Sequence, residues 1–385
     1  MRTMGLVLLL GWCLIGATLC AADDKEIDKL IEQLGDEQLT LRKAACKRLE
    51  AIGDPALPQL RKAEHDHSDP DVRLRAGVLV RAIENKGWSE DRVIVGPTRG
   101  YWINRVAFTP DGKYAVAAGG AVILYDLTSG EEVRRVLEVR GARLGLALSA
   151  DGKYCLTGHT NDATVHLLEL PSLRVAKTFA GHTSGVQEVA LSTDGSRVAT
   201  CGNRNLHVWD TKSGKEVFHR GFPGESAFSA AFSPDGKHLV SGHQAQRNEA
   251  LVRLWNADTG KELRTYRAHK GTVTGVAFAP EGRRFITAGH DGSIREWSLD
   301  DDKPLNEATH EGGVYDLAIS ADGKRFVTAG FADKNVRVWN PKTFKELHCF
   351  RGHQTRVLGV AFSRDGRKAI SCDADCNIRL WNLPP

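Results

Sequence analysis

Apolar residues recur at intervals of three and four positions between residues 23 and 87, which is the spacing of amphipathic helices. The apolar stripes are separated by short polar segments rich in Gly, Asp and Pro. Two of these segments, Asp54-Pro55 and Asp69-Pro70, have the order of a helix N-cap followed by proline in the first turn. The pattern therefore predicts a small all-α domain of two helical hairpins over residues 23–87.

At about residue 88 the pattern changes to short runs of alternating apolar and polar residues, which are typical of β-strands. A turn-forming dipeptide recurs here at steps of 40 to 46 residues. Strands flank each turn, and a third strand, often ending in Trp, and a fourth follow. Four strands per unit at this period predict a seven-bladed all-β propeller over residues 88–385. The seven dipeptides are Asp111-Gly112, Asp151-Gly152, Asp194-Gly195, Asp235-Gly236, Glu281-Gly282, Asp322-Gly323 and Asp365-Gly366.

At these residues the chain resembles the WD-repeat family, and the resemblance covers nearly all of residues 88–385. The His that opens a family repeat is present as His182, His269, His310 and His353. In the family this His joins Ser or Thr, Asp and Trp in a buried tetrad, which pairs polar groups that burial removes from water. The resemblance implies three complete tetrads: His269, Thr287, Asp291 and Trp297; His310, Thr328, Asp333 and Trp339; and His353, Ser371, Asp375 and Trp381.

The other four units depart from the family pattern. The unit of His182 and Thr200 has Asn203 where Asp is expected, and the first, second and fourth units lack the His. The second unit also has Leu168 in place of Trp. We expect these blades to be less regular than the other three.

The helical segment resembles two HEAT-like hairpins, through residues such as Leu41-Arg42-Lys43-Ala44-Ala45 and Asp69-Pro70-Asp71-Val72-Arg73. Two hairpins are fewer than a helical solenoid usually needs to bury its core. The resemblance leaves two roles open for this HEAT-like domain, a docking surface or a spacer.

A propeller must close, because the end strands of an open ring expose unpaired edges. The last unit stops after its third strand at Trp381-Asn382, and the strand at residues 92–95 has no partner in the first unit. We expect the strand at 92–95 to complete the last blade.

Residues 1–22 have the layout of a secretory signal peptide. Arg2 supplies the positive end, an apolar run follows, and small residues lead to an abrupt acidic start at Asp23-Asp24. We expect export with cleavage after Ala21 or Ala22, to a periplasm, a cell surface or the medium, and no membrane span afterwards. A lipid on Cys20 and an uncleaved anchor are the alternatives.

The composition argues against several functions. The chain has 52 basic and 48 acidic residues with no concentrated basic stripe, so no nucleic-acid partner is expected. No phosphate loop, nucleophile elbow or metal-binding spacing occurs, so the sequence predicts no catalytic residue, cofactor or metal. Cys372 and Cys376 could form a disulfide, although small apolar fillers in strands are the simpler interpretation.

In the family, the face at the start of each first strand commonly holds ligands. Large, apolar and Arg residues stand at these positions, a composition typical of binding hot spots. The resemblance therefore implies a non-catalytic scaffold that binds a protein or peptide partner through this face. The face residues are Trp102, Asn104, Leu144, Gln187, Phe228, Tyr315, Arg356 and Leu358.

Two other functions remain open. One is a propeller enzyme of the hydrolase or lactonase type acting on a small molecule through Glu188 or Asp316, which the innermost strands set against Arg105. The other is carbohydrate or cell-envelope binding, since aromatic rings also stack on sugars.

Overall fold

The computed structural model describes residues 23–96, 102–136, 144–159 and 163–384. The chain divides into two units between Lys86 and Gly87, one residue before the predicted boundary. The predicted signal peptide at 1–22 lies outside the described residues.

Within its described residues, the first unit consists of four α-helices and two short 3-10 turns, Gln33–Gly35 and Asp54–Ala56. The helices are α1 (Asp24–Glu32), α2 (Leu39–Ile52), α3 (Leu57–Asp66) and α4 (Pro70–Glu84). Their inner faces bury a single apolar cluster that includes Ile27, Leu49, Leu60 and Leu79.

Two predicted helix caps have different outcomes. Asp69 caps α4, because its Oδ1 accepts the N–H of Asp71 at 2.8 Å and Pro70 occupies the first turn. The prediction that Asp54 caps a helix is wrong. Asp54 lies inside a 3-10 turn, and α3 begins only after that turn without a side-chain cap.

The second unit is the seven-bladed propeller that the repeats predict, and each blade is a four-stranded antiparallel sheet. The first strands in chain order are β1 (Ser89–Val95), β2 (Ile103–Phe108), β3 (Tyr114–Gly119), β4 (Val122–Asp126), β5 (Glu132–Val136), β6 (Leu144–Leu148), β7 (Tyr154–His159), β8 (Thr164–Glu169), β9 (Arg174–Ala180), β10 (Val186–Leu191), β11 (Arg197–Gly202), β12 (Asn205–Asp210), β13 (Glu216–Gly221) and β14 (Ala227–Phe232). The remaining strands are β15 (His238–His243), β16 (Ala250–Asn256), β17 (Glu262–His269), β18 (Val273–Phe278), β19 (Arg284–Gly289), β20 (Ser293–Ser298), β21 (Pro304–Thr309), β22 (Val314–Ile319), β23 (Phe326–Gly330), β24 (Val336–Trp339), β25 (Glu346–Phe350), β26 (Val357–Phe362), β27 (Lys368–Asp373) and β28 (Asn377–Asn382).

Six blades are continuous in sequence, from β2–β5 to β22–β25, and the seventh is made from both ends of the unit. In that blade β1 pairs antiparallel with β28, from Ser89 opposite Asn382 to Val95 opposite Asn377. The closing strand begins at Ser89 rather than at Arg92. This pairing joins the start of the propeller to its end and leaves the ring without a gap between its first and last blades.

The closing strand also contributes to the core between two blades. Ile94 is 3% exposed and packs with Ile103 and Ile123 of the first blade and Ile378 of the last. Val95, the next residue, is 66% exposed. The strand thus follows the period of two expected when one face is buried.

Truncation of Ile94 tests how much closure of the ring contributes to the free energy of unfolding. Ile94→Ala should lower the free energy of unfolding by about 2–5 kcal/mol, because it leaves a cavity between the first and last blades. Val95→Ala on the same strand should change it by less than about 0.5 kcal/mol, because that side chain is exposed. Urea denaturation of both variants measures the difference, and equal losses would contradict the role of Ile94 in closure.

Candidate functional site

Six of the seven blades carry a β-bulge at the second residue of their first strand, as between Ile103 and Arg105 of β2. A bulge leaves one residue outside the ladder and re-aims its side chain. In the second blade, β6 and β7 pair without this irregularity. The six bulged residues are Asn104, Gln187, Phe228, Thr274, Tyr315 and Leu358.

Five of the bulged residues converge on one pocket of about 80 Å³, here called the mouth pocket. The sequence predicted four of its lining residues and missed Thr274, Arg105 and His290. Thr274 could have been found, because it stands at the same position in the fifth unit as Tyr315 in the sixth. The mouth pocket is lined by Asn104, Arg105, Gln187, Phe228, Thr274, His290 and Tyr315.

The predicted face residues differ in exposure. Trp102 is 51% exposed and Arg356 is also exposed, whereas Gln187, Phe228 and Tyr315 are half-buried. Asn104 is only 5% exposed. The side chain of Leu144 lies outside the described part of the chain.

Leu358 does not present a contact surface, and its assignment to the exposed face is wrong. Its side chain is 6% exposed. The neighbouring blade comes very close at this point, since a Cβ on Gly359 would lie 3.0 Å from the carbonyl oxygen of Asn104. The close approach of β2 and β26 leaves little room for Leu358 to reach water.

Beside the mouth pocket, three rings form a cluster that we call the aromatic cluster: His290, Tyr315 and Phe331. Tyr315 and Phe331 stack with their centroids 5.8 Å apart and their planes 9° apart. His290 lies 6.0 Å from the first ring and 5.6 Å from the second. The guanidinium of Arg356 lies 5.2 Å from the centroid of Phe331, within range of a cation–π contact.

Behind the mouth pocket the first strands of the seven blades line a channel of about 250 Å³. Its charged residues are Arg105, Glu188 and Asp316, and Arg105 also lines the mouth pocket. Arg105 Nε donates to Glu188 Oε2 at 2.8 Å, and Nη2 donates to the same oxygen. Asp316 accepts the backbone N–H groups of Leu317 and Val360, both at 3.0 Å.

The channel alters the protonation of Asp316. Burial raises the pKa of this carboxyl to about 6, against the lowering effect of Arg105 and with a further raising effect of Glu188. The cause is the loss of water around a charged group, which disfavours the ionised form. The ionised form of Asp316 is therefore less favoured in the channel than it would be in water.

Two of the three implied tetrads are present with the expected members. In the fifth blade, His269 Nε2 lies 2.8 Å from Thr287 Oγ1 and Nδ1 lies 3.1 Å from Asp291, while Trp297 Nε1 donates to Thr287 at 2.9 Å. The sixth blade joins His310, Thr328, Asp333 and Trp339 in the same way, except that Nδ1 of His310 faces Thr328 and Nε2 faces Asp333.

The third tetrad uses Asp373 and not the implied Asp375. His353 Nδ1 lies 2.7 Å from Asp373 Oδ2, and Asp375 is exposed. Asp373 ends β27 at the position that Gly289 takes in the fifth blade, where a Cβ would lie 2.9 Å from the ring of His269. A carboxylate at this position is therefore closer to the His than one in the following loop.

The less regular blades leave polar atoms unpaired where tetrad members are missing. In the third blade His182 still lies 2.6 Å from Thr200, but its Nδ1 is buried without a hydrogen-bond partner among the described residues. This is the atom that an Asp at Asn203 would reach. In the second blade Thr157 Oγ1 is likewise buried and unpaired, consistent with the missing His and with Leu168 in place of Trp.

The fourth blade contains a substitute tetrad that sequence reasoning missed. His243, at the position of Gly289, lies 2.8 Å from Ser241 Oγ, and Trp255 donates to the same oxygen at 2.8 Å. Glu225 takes the role of the Asp, 3.2 Å from His243 Nδ1, and forms a bidentate pair with Arg253 at 2.9 Å. The hydrogen-bond chain from Ser241 through His243 to Glu225 looks like a catalytic triad. Ser241 and His243 are fully buried, however, so a substrate could not reach them and we assign the group a structural role.

Other candidate chemistry is sparse in the described parts of the chain. Cys372 is not part of a disulfide, so Cys372 and Cys376 do not pair with each other. No group of three His, Cys, Asp or Glu residues between 23 and 384, outside the undescribed segments, could hold a metal ion. Over the same residues, no helix combines the length and the hydropathy of a membrane span.

Seven four-stranded blades, with the same His, Thr, Asp and Trp tetrad in more than one of them, place the chain among proteins built from tandem propeller repeats. Residues 173–210, 260–298, 303–340 and 344–382 match the family model of the WD domain, G-beta repeat. An uncharacterized WD repeat-containing protein of Synechocystis is 30% identical over 244 residues, which are 63% of this chain and 69% of that protein. The chain belongs to the WD-repeat family.

More distant relatives are larger. The chain is 28% identical to Transcription initiation factor TFIID subunit 5 of Caenorhabditis elegans over 48% of its own length, and 26% identical to Apoptotic protease-activating factor 1 of Rattus norvegicus over 77%. It spans only 28% and 27% of those proteins. A chain in a solved Mitotic Checkpoint Complex shares the fold, with a TM-score of 0.68, 22% identity, and coverage of 77% of this chain and 92% of that one.

Matched threonine variants test the tetrad account. Thr287→Val should lower the free energy of unfolding by about 1–3 kcal/mol, because it leaves the buried His269 and Trp297 without their shared partner. Thr157→Val should leave stability unchanged or raise it, because it removes a buried hydroxyl that has no partner. Both residues are fully buried, so urea denaturation compares equal burial, and equal losses would contradict the account.

The substitute tetrad should have a distinct pH dependence. Burial alone would raise the pKa of Glu225, but His243 and Arg253 outweigh it and lower the pKa to about 2 from the usual 4.5. A lowered carboxyl pKa stabilises the fold above the unfolded value, and this contribution disappears as pH falls towards the folded value.

The wild-type protein should therefore exceed Glu225→Gln in stability at about pH 6, and the difference should shrink as pH falls from about 4.5 towards 2. Urea unfolding over this range measures the effect. Glu131→Gln, on an exposed turn, is the control and should track wild type at every pH. A difference for Glu225→Gln that does not vary with pH would refute the assignment.

Proposed function

We propose that this chain is an exported, non-catalytic scaffold that binds a protein or peptide partner through the propeller face around the mouth pocket. The observation that carries the proposal is the set of β-bulges, which directs five side chains to one point. Of the groups of hot-spot type on this face, Phe228 and Tyr315 line the pocket and are half-buried, while Trp102 and Arg356 are exposed just before the first strands of two blades. Export rests on the composition of residues 1–22 alone.

The carboxylates of the channel favour binding over hydrolysis. A general acid or base needs an oxygen within reach of a substrate proton. Glu188 Oε2 accepts two N–H groups of Arg105 and Oε1 accepts the N–H of Val189 at 3.0 Å, while both oxygens of Asp316 accept backbone N–H groups. Both carboxylates are thus engaged in holding the channel together.

The names of two similar proteins fit this proposal. One is a subunit of a transcription initiation factor, and the other is a chain of a checkpoint complex. A scaffold role for the present chain agrees with those assemblies.

A capture experiment tests the proposal. The protein with Trp102→Ala and Phe228→Ala should lose a partner that wild type captures from the envelope and secreted fractions of its source, because truncated hot-spot residues cost about 2 kcal/mol or more each. Mass spectrometry identifies what is lost.

The matched control carries Leu263→Ala and Leu305→Ala, two exposed apolar residues on the outer strands of the fourth and fifth blades. It should capture the same partner as wild type. Loss in both double variants would contradict the face assignment. If wild type captures glycan in place of protein, and only the variant with Trp102→Ala and Phe228→Ala loses it, the face binds carbohydrate.

A further inference from the structure

The mouth pocket contains an unused hydrogen-bond acceptor. Asn104 is 5% exposed, and its Oδ1 is buried with no hydrogen-bond partner among the described residues. Buried acceptors in folded proteins are nearly always hydrogen-bonded, so an unpaired one calls for an explanation. The pocket therefore lacks a donor.

Arg105, the cation that lines the same pocket, is already engaged. Its Nε and Nη2 donate to Glu188, and its Nη1 donates to the carbonyl oxygens of Asn104 and Leu358, both at 3.1 Å. A guanidinium has five N–H donors, and four are used. An anionic ligand would find almost no free donor here.

The channel behind the pocket is lined by more carboxylates than cations. The charged residues that line the channel are one guanidinium, of Arg105, and two carboxylates, of Glu188 and Asp316. Arg105 and Glu188 form an ion pair and neutralise each other. When it is ionised, the carboxylate of Asp316 is the excess charge, in surroundings where burial strengthens its field.

The lining residues and the volume of the mouth pocket further restrict the kind of ligand that fits. Phe228 and Tyr315 bring aromatic rings to the pocket, and cations are attracted to ring faces. The volume of about 80 Å³ is far below the roughly 300–1,000 Å³ of sites for drug-sized ligands. The pocket suits the end of one side chain that projects from a larger partner.

We propose that the mouth pocket receives a basic side chain of the partner, whose ammonium or guanidinium group donates to Asn104 Oδ1. The aromatic rings contact the aliphatic stem, and the excess carboxylate favours the positive charge. This inference deepens the proposed function, because it names the chemistry of the partner at one point of the face.

The test uses small probes and needs no partner. The purified protein, labelled with ¹⁵N, is titrated with n-butylammonium, n-butylguanidinium, the neutral n-pentanol and the anionic butyrate, and NMR chemical shifts around Asn104 are followed. The cations should shift these signals saturably, with dissociation constants about tenfold lower than those of n-pentanol, because one uncompensated charge acts at short range.

Two variants and one control locate the effect. Asp316→Asn should weaken the binding of n-butylammonium about tenfold and leave n-pentanol unchanged, and Asn104→Leu, which removes the acceptor, should weaken n-butylammonium in the same direction. Glu131→Gln, an exposed carboxylate on a turn between outer strands, should change nothing. Thermal unfolding checks that each variant is folded, and Asn104→Leu decides the matter if Asp316→Asn is not.

The proposal is overturned if n-pentanol or butyrate binds as tightly as the cations, or if neither folded variant weakens n-butylammonium. This failure is separate from failure of the proposed function. A partner that depends on Trp102 and Phe228 could still be captured, and the face would then bind it without a basic anchor.

Discussion

The hydrogen bonds between β1 and β28 are the constraint on which the propeller depends. A sheet cannot leave its edge strands unpaired without exposing a row of backbone groups. Six blades take all four strands from one continuous stretch of chain, but the last blade has only three such strands and needs its fourth from the start of the propeller. The chain meets this requirement by pairing Ser89–Val95 with Asn377–Asn382. Because Ile94 enters the core between the first and last blades, closure joins backbone pairing to side-chain packing.

Within the blades, burial imposes a second requirement, that each enclosed polar atom find a partner. The fifth and sixth blades meet it with His, Thr, Asp and Trp. The seventh recruits Asp373, and the fourth replaces the opening His by His243 and the Asp by Glu225. The second and third leave Thr157 and His182 incompletely paired. The same physical demand is therefore met by different residues, and loss of a motif does not imply loss of the interaction.

The bulges connect this framework to the candidate face. In a regular first strand the second residue would pair with the neighbouring strand, and its side chain would follow the alternation of the sheet. The bulge leaves that residue unpaired and turns its side chain towards the mouth of the channel. The rigid blades hold Asn104, Phe228 and Tyr315 in place, so a binding surface arises from the same irregularity in different blades. Leu358 shares the bulge but is buried by the approach of β2, which shows that position along a strand does not decide exposure.

By itself the sequence determined the number of blades, the helical segment and the strand that closes the ring, because these follow from periodicity and from turn residues at fixed spacing. The resemblance to the WD-repeat family added two complete tetrads. It also identified four residues of the mouth pocket, since they share one position in successive units. Only the tertiary structure showed that Asp373 replaces Asp375 and that His243 and Glu225 complete the fourth blade. It also showed that four of the five N–H donors of Arg105 are engaged, while Asn104 Oδ1 has no partner among the described residues. These outcomes depend on distances of a few ångströms between segments far apart in the chain, which local patterns do not encode.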